Sequence, residues 1–134
     1  MSATENKELL RRIFAALDEG DGRPFVEAMD DRFRWTITGS SRWSRTWDGK
    51  MAVLGELFPA LRARIDGRIR TTAHRFVAEG DLVVVEARGS NRTRDGKRYD
   101  NAYCYVFRVA GGKLLELTEY MDTELAGSAL GDPP

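Results

Sequence analysis

Several kinds of residue are scarce in this chain, and each scarcity removes a class of function. Cys104 is the only cysteine, so no disulfide can form within the chain. His74 is the only histidine, so Cys and His side chains cannot supply a zinc site, and no metal or organic cofactor is expected. Excess charge is missing too: Lys plus Arg is 21 and Asp plus Glu is 21. A neutral total gives no long-range attraction to nucleic acid or to an anionic membrane, and neither is expected as a partner. No apolar run approaches the roughly 18 residues of a membrane span. The first ten residues are polar and of mixed charge, unlike a secretory leader, so the expected location is cytoplasmic.

The remainder is ordinary globular material. There are 134 residues with 42% hydrophobic, enough for one core and one domain. Ser2 and Glu5 have capping-box spacing, and Leu9, Leu10, Ile13, Phe14 and Leu17 recur at helical period until Gly20 ends the pattern. Pro24 begins a second short helix through Phe25, Val26 and Met29. The period then drops to two: Phe33, Trp35 and Ile37 alternate with polar residues, as in a half-buried strand. Trp43 and Trp47 lie in a polar loop and are expected to cover something apolar, as a lid or as filling. A third helix is expected from about Met51 to Ile65, kinked or divided at Pro59. From Arg68 onward four strands follow, separated by turns at Gly80-Asp81, Asp95-Gly96 and Gly111-Gly112, and the tail over 126–134 is expected to be flexible. Helices followed by a meander make an α+β fold, with three N-terminal helices on a mostly antiparallel sheet.

The turns also predict register. A two-residue loop at Asp95-Gly96 pairs Arg88 with Tyr103 and Glu86 with Tyr105. A three-residue loop at Ala110-Gly111-Gly112 pairs Tyr105 with Leu117, Tyr103 with Glu119 and Asn101 with Met121. One face then carries Leu82, Val84, Phe107, Leu115, Leu117 and Met121 together with Glu86, Arg88, Asn101, Tyr103, Tyr105 and Glu119. Glu119 is the polar member of a row that otherwise reads Leu115, Leu117, Met121. Such an acid is either paired or has a raised pKa and a task. A cluster of Glu86, Arg88 and Glu119 fits a structural ion-pair network or a catalytic group, and Trp35 fits core or pocket wall. The opposite face is apolar as well, so a second subunit is expected to cover part of the sheet, on a face that alternation does not choose. Arg62, Arg64, Arg68, Arg70 and Arg75 read as a solvated basic surface.

Leu17-Asp18-Glu19-Gly20-Asp21, Phe33 to Gly39, Gly80 to Glu86, Tyr99 to Phe107, and Gly112-Lys113-Leu114 leading to Glu119-Tyr120-Met121-Asp122 together resemble the nuclear transport factor two-like superfamily. Within it they are similar to the SnoaL-like polyketide cyclase and limonene-epoxide hydrolase branches, over about residues 5–125. The resemblance implies a cone-shaped α+β fold, a curved sheet around a deep apolar pocket, and a homodimer formed through the sheet. Both branches place an aspartate six residues beyond the lysine of the Gly-Lys turn, and that position here is Glu119. The hydrolases add an arginine and an aspartate on the strand of Glu86 and Arg88, where this chain has the charges in exchanged order. The tyrosine and two aspartates of the related ketosteroid isomerases fall near Ile13, Thr36 to Thr38 and Cys104, and none is matched. The functional expectation is a cofactor-independent acid–base enzyme, or a non-catalytic binder, acting on a small, largely apolar molecule. Glu119, Arg88 and Glu86 are the expected catalytic residues, with Tyr103, Tyr105, Asn101, Met121, Trp35 and Leu117 against the ligand.

Overall fold

A computed structural model describes residues 1–134. Helix α1 (Ala3–Asp18) starts at the expected capping box: Ser2 Oγ accepts from the Glu5 amide at 3.1 Å and Glu5 Oε1 accepts from the Ser2 amide at 2.9 Å. It ends in a Schellman turn, in which Gly20 (φ 78°) donates to Leu17 and Asp21 donates to Ala16. Helix α2 (Arg23–Ala28) follows, with Pro24 in its first turn. The third helical stretch is continuous but not uniform. It runs as α3 (Lys50–Ala52), a π-helical turn (Val53–Leu57) and α4 (Phe58–Arg64). The amide of Phe58 reaches back to the carbonyl of Val53, widening the helix one residue before Pro59, which has no amide to continue the normal ladder.

The expected count of three helices is exceeded, because the chain closes with α5 (Thr123–Leu130). Residues 126–134 were expected to be flexible, yet Ala126, Ala129 and Leu130 of α5 are buried against Trp43, Ile65 and Tyr99. Asp122 caps α5 by accepting from the Leu125 amide. The apolar content of Leu125, Ala126, Ala129 and Leu130 is what the glycines and prolines of the tail obscure.

Six strands form the main sheet: β1 (Met29–Ile37), β2 (Thr46–Asp48), β4 (Thr71–Glu79), β5 (Leu82–Gly89), β7 (Ala102–Ala110) and β8 (Lys113–Met121). Their order is β2-β1-β8-β7-β5-β4, antiparallel throughout except for β1 beside β8. Two short strands, β3 (Ile65–Asp66) and β6 (Arg92–Thr93), pair separately. Helix α1 lies across the inner face, and the core gathers there around Leu10, Phe14, Phe33, Leu57 and Phe107.

Register differs from expectation at two hairpins, with unequal consequences. Between β7 and β8 the loop is two glycines, Gly111 and Gly112, both at positive φ, so Ala110 pairs with Lys113. A bulge follows at Leu115, which leaves Tyr105 opposite Glu119 and Tyr103 opposite Met121. That is a displacement of two residues, so the face is preserved. Between β5 and β7 the turn around Asp95-Gly96 has three residues instead of two: Thr93 pairs with Lys97, and Gly96 (φ 88°) takes the left-handed position after a type I turn. Val85 therefore faces Tyr105 and Ala87 faces Tyr103. A displacement of one turns every β5 side chain over. Leu82, Val84, Glu86 and Arg88 lie on the outer face.

Asn101 is fully buried but does not line the pocket, contrary to expectation. Its Oδ1 accepts from the amides of Ala102 (2.8 Å) and Asp122 (3.2 Å), and its Nδ2 donates to the Asp122 carbonyl (3.0 Å) and the Tyr99 hydroxyl (3.2 Å). All its polar capacity goes into joining β7 to the start of α5. Asn101→Ala leaves several of these groups buried without partners and is expected to cost about 2–4 kcal/mol in thermal or urea unfolding.

Candidate functional site

The inner face of the sheet reads as rows. One runs Ala78, Val83, Phe107, Leu117, Trp35 and Trp47 across six strands. The next runs Phe76, Val85, Tyr105, Glu119 and Ile37. Glu119 is thus a carboxyl in an apolar row, only 5% exposed. The helices do not fill the space above these rows. A cavity of about 360 Å³ remains, a size suited to a small organic molecule. Eighteen of its 26 lining residues are hydrophobic, so the wall suits an apolar body. Phe14, Phe25, Leu57, Phe58 and Leu61 come from the helices, and Trp35, Tyr103, Tyr105, Leu117, Glu119 and Met121 from the sheet.

The Glu119 carboxyl has one hydrogen-bond partner, the indole N–H of Trp35, which donates to Oε1 at 2.9 Å. The parallel pairing of β1 and β8 places Trp35 opposite Leu117, one step from Glu119. Phe58 meets the indole edge-on (5.9 Å between centroids) and Phe25 packs obliquely (5.7 Å), so the N–H direction is fixed by packing. No protein group hydrogen-bonds Oε2. Burial raises the pKa of Glu119 to about 7, opposed only by the Trp35 bond, which favours the carboxylate. At neutral pH both protonation states are therefore populated.

Tyr103 and Tyr105 stack at 5.1 Å with nearly parallel rings. Burial pushes both phenols well above the usual tyrosine range, with the charge of Glu119 adding to the effect. They are neutral hydroxyl groups at neutral pH. Tyr99, also raised by burial, adds a third hydroxyl and donates to the Met121 sulfur at 3.6 Å. Trp43 is buried and its indole N–H donates to the Gly131 carbonyl at 2.6 Å, so it is a wall tied to the C-terminal segment. Trp47 packs in the core beneath Arg45, whose guanidinium is 4.9 Å from its ring. Neither tryptophan fills the cavity.

Of the residues expected at the site, Glu119, Tyr103, Tyr105, Met121, Trp35 and Leu117 line the cavity, and Asn101 does not. Glu86 and Arg88 are corrections of greater weight. Glu86 pairs with Arg75 at 3.0 Å on the outer face, and Arg88 is exposed there, so no network joins either to Glu119. His74 is the exposed extra residue of a bulge in β4. Sequence reading missed Tyr99, Thr71, Asn91, Arg62 and Arg68 at the cavity. The first three sit near irregular strand ends, where alternation carries no signal. No three His, Cys, Asp or Glu side chains come together to hold a metal ion.

The model of the SnoaL-like domain family matches residues 10–117. The chain belongs to that family. Among curated proteins none matches. A structure described as a SnoaL-like polyketide cyclase from Jannaschia sp. CCS1 superposes with a TM-score of 0.78 at 21% identity, covering 98% of this chain and 95% of that one. Bal32a, from a soil-derived mobile gene cassette, gives 0.82 at 25% identity, with 96% and 98% covered. An epoxide hydrolase of Mycobacterium tuberculosis, similar to limonene-epoxide hydrolase, gives 0.70 at 20% identity, with 96% and 90% covered. The likeness establishes an α+β fold of the nuclear transport factor two-like type. No helix is long and apolar enough to cross a membrane.

The raised pKa of Glu119 makes stability depend on pH. Below about 4.5 the group is protonated in both folded and unfolded chains and costs nothing. Between 4.5 and about 7 the unfolded chain ionises while the native state keeps its proton, so native stability is progressively lost. Glu119→Gln carries no such penalty. Its stability relative to wild type is expected to improve by about 2–3 kcal/mol between about pH 5 and pH 8, measured by urea unfolding. Trp35→Phe removes the only bond favouring the carboxylate and is expected to move the Glu119 titration, followed by carboxyl NMR shifts, above 7.

Proposed function

We propose that this protein is an acid–base enzyme acting on a small, largely apolar molecule in the cavity, with Glu119 as the proton-transfer group. The observation that carries this reading is a cavity-lining carboxyl, buried in an apolar row, whose pKa is held near neutrality. A base of that pKa can take a proton from substrate carbon or from water and return it in the same cycle. Proton transfer of this kind contributes about 10²–10⁴ in rate. Trp35 sets the carboxyl orientation. Tyr103 and Tyr105, neutral because buried, offer hydroxyl groups to a developing negative oxygen. The step draws on side chains alone and needs no cofactor. Cyclisation, isomerisation and hydrolysis by an activated water all use these parts, and the structural neighbours include one described as a cyclase, one as an isomerase and one as an epoxide hydrolase.

One observation favours a second reading, that of a non-catalytic binding protein. With Glu86 and Arg88 on the outer face, no cation assists Glu119 and no second carboxyl shares its proton. The two readings separate in one experiment. Compounds that raise the melting temperature are selected from terpene epoxides, steroids and aromatic polyketide esters, and their consumption by wild type and Glu119→Gln is compared. For the enzyme, Glu119→Gln keeps affinity and loses about 10²–10⁴ in kcat, and the wild-type kcat/KM rises with pH to a plateau above about 7. Binding without consumption by either protein establishes the binder.

We also propose that two copies associate through the outer sheet face. Val77, Val84 and Val106 form an apolar row there, and Tyr120 is half exposed beside them. The flanking charges alternate in sign (Arg75 with Glu86, Arg108 with Glu116), so a two-fold axis can set this face against itself without like-charge clashes. Sedimentation is expected to show a dimer for wild type and a monomer for Val106→Arg. A wild type that stays monomeric at high micromolar concentration overturns this assignment.

A further inference from the structure

We infer that the ligand of this cavity carries an anionic group at its outer end, held between Arg62 and Arg68 while its apolar body lies inside. The inference rests on the proposal that a small molecule enters the cavity, and adds the charge which that molecule bears. Among the lining residues only Glu119, Arg62 and Arg68 are charged or ionise near neutral pH. Glu119 belongs to the inner sheet row. The two arginines come from the other side, Arg62 from the last turn of α4 and Arg68 from the segment that follows β3. A molecule in the cavity therefore has a buried carboxyl on the sheet wall and two solvent-exposed arginines on the wall formed by α4 and the segment after β3.

Neither arginine is neutralised by the protein. Ion pairs within 4.0 Å occupy Arg11, Arg23, Arg34, Arg42, Arg45, Arg75, Arg98 and Arg108, but not Arg62 or Arg68. Asp21 is the acid that senses Arg68, yet both of its oxygens are engaged by Arg23 at 3.0 Å. Asp66 is exposed on β3, and Asp132 lies by Arg42 and gives its carbonyl to Arg64. A further positive group stands close: Arg94 donates to the Arg62 carbonyl from Nε (3.1 Å) and from a terminal nitrogen (2.9 Å).

The placement of Arg68 is built into the backbone. Its stem lies across Gly20, where a Cβ would sit 2.9 Å from Arg68 Cβ and 3.2 Å from Cδ. Gly20 also needs its left-handed φ to end α1, so one residue both stops the helix and clears the path of the arginine. Gly22 and Gly67 line the cavity as well, and Gly67 is exposed like Arg62 and Arg68, so this stretch of the wall faces solvent. A carboxylate, sulfonate or phosphate arriving there gains charge-assisted hydrogen bonds in planar fork geometry.

The test uses two fluorescent compounds with the same aromatic frame, 1-anilinonaphthalene-8-sulfonate and the uncharged N-phenyl-1-naphthylamine. Each is titrated into the folded protein, and displacement of one by the other shows that they share the cavity. The sulfonate is expected to bind about tenfold tighter at low salt, with the gap narrowing as salt is added. Arg62→Gln/Arg68→Gln, checked as folded by near-ultraviolet circular dichroism, is expected to abolish the preference, and Arg62→Lys/Arg68→Lys to restore part of it. Equal affinities in wild type, or a preference that survives the glutamine pair, overturn the inference and leave the cavity reading intact. If neither compound binds, the cavity is not entered and both proposals fall.

Discussion

The parallel pairing of β1 with β8 is the contact on which the rest of the site depends. It joins residues more than 80 positions apart and sets Trp35 against Leu117 and Ile37 against Glu119. Without it Glu119 would sit near a sheet edge, within reach of water and with an ordinary carboxyl pKa. With it, the acid is enclosed by β1 on one side and β7 on the other, and its hydrogen-bond donor arrives with it. The same pairing brings Phe25 and Phe58 over Trp35, so the wall of the cavity and the partner of the acid are one side chain.

An arrangement of this kind has a thermodynamic consequence. Ionising a buried carboxyl with one neutral donor costs several kcal/mol relative to water, and nothing near Glu119 repays that cost in full. A leucine at 119 would continue the row from Leu117 to Met121 and incur no such penalty. The stability surrendered at this position is the kind of loss that folds carry at a working site. The same reasoning separates Glu119 from Glu86. Glu86 lies across from Arg75 on the outer face and does not reach the inner cavity.

How much of this could be read in the sequence follows from the parity of strands. Along β8 the pattern Leu117, Glu119, Met121 states that the acid shares a face with apolar residues, and no knowledge of partners is required. Tyr103, Tyr105 and Phe107 on β7 are equally legible. The shorter loop and the bulge at Leu115 each moved the partners by one, and a total shift of two leaves faces unchanged. The turn at Asp95-Gly96 was the vulnerable point. Asp-Gly suits both a two-residue loop and the end of a three-residue one, and the choice moves β5 by a single residue. What decides it is tertiary: Thr93 bonds to Lys97 while β6 pairs with β3, an interaction no local pattern announces. Glu86 and Arg88 were drawn into the expected site by that one residue. Helix α5 was hidden for another reason, since its apolar face is short and finds its partners in Trp43, Ile65 and Tyr99, far away along the chain.

The arginines show the complementary weakness of composition. Five basic residues between 62 and 75 average to a solvated surface when the whole chain is neutral, and for Arg75 that reading is adequate. Net charge is a statement about distance, however. Beyond a Debye length of roughly 8–10 Å the total governs, and inside it the arrangement does. On the binding mode proposed above, two unneutralised guanidinium groups lining a cavity with apolar walls act on a ligand at contact range, where the balance of 21 against 21 has no bearing. A cavity with an acid at its sheet wall and cations at its solvent-facing wall also orients what it binds. In that binding mode, a molecule with one anionic end enters apolar end first, and that order carries the part remote from the charge toward Glu119. Position along the ligand, as much as its identity, is then what would bring a particular atom within reach of Glu119.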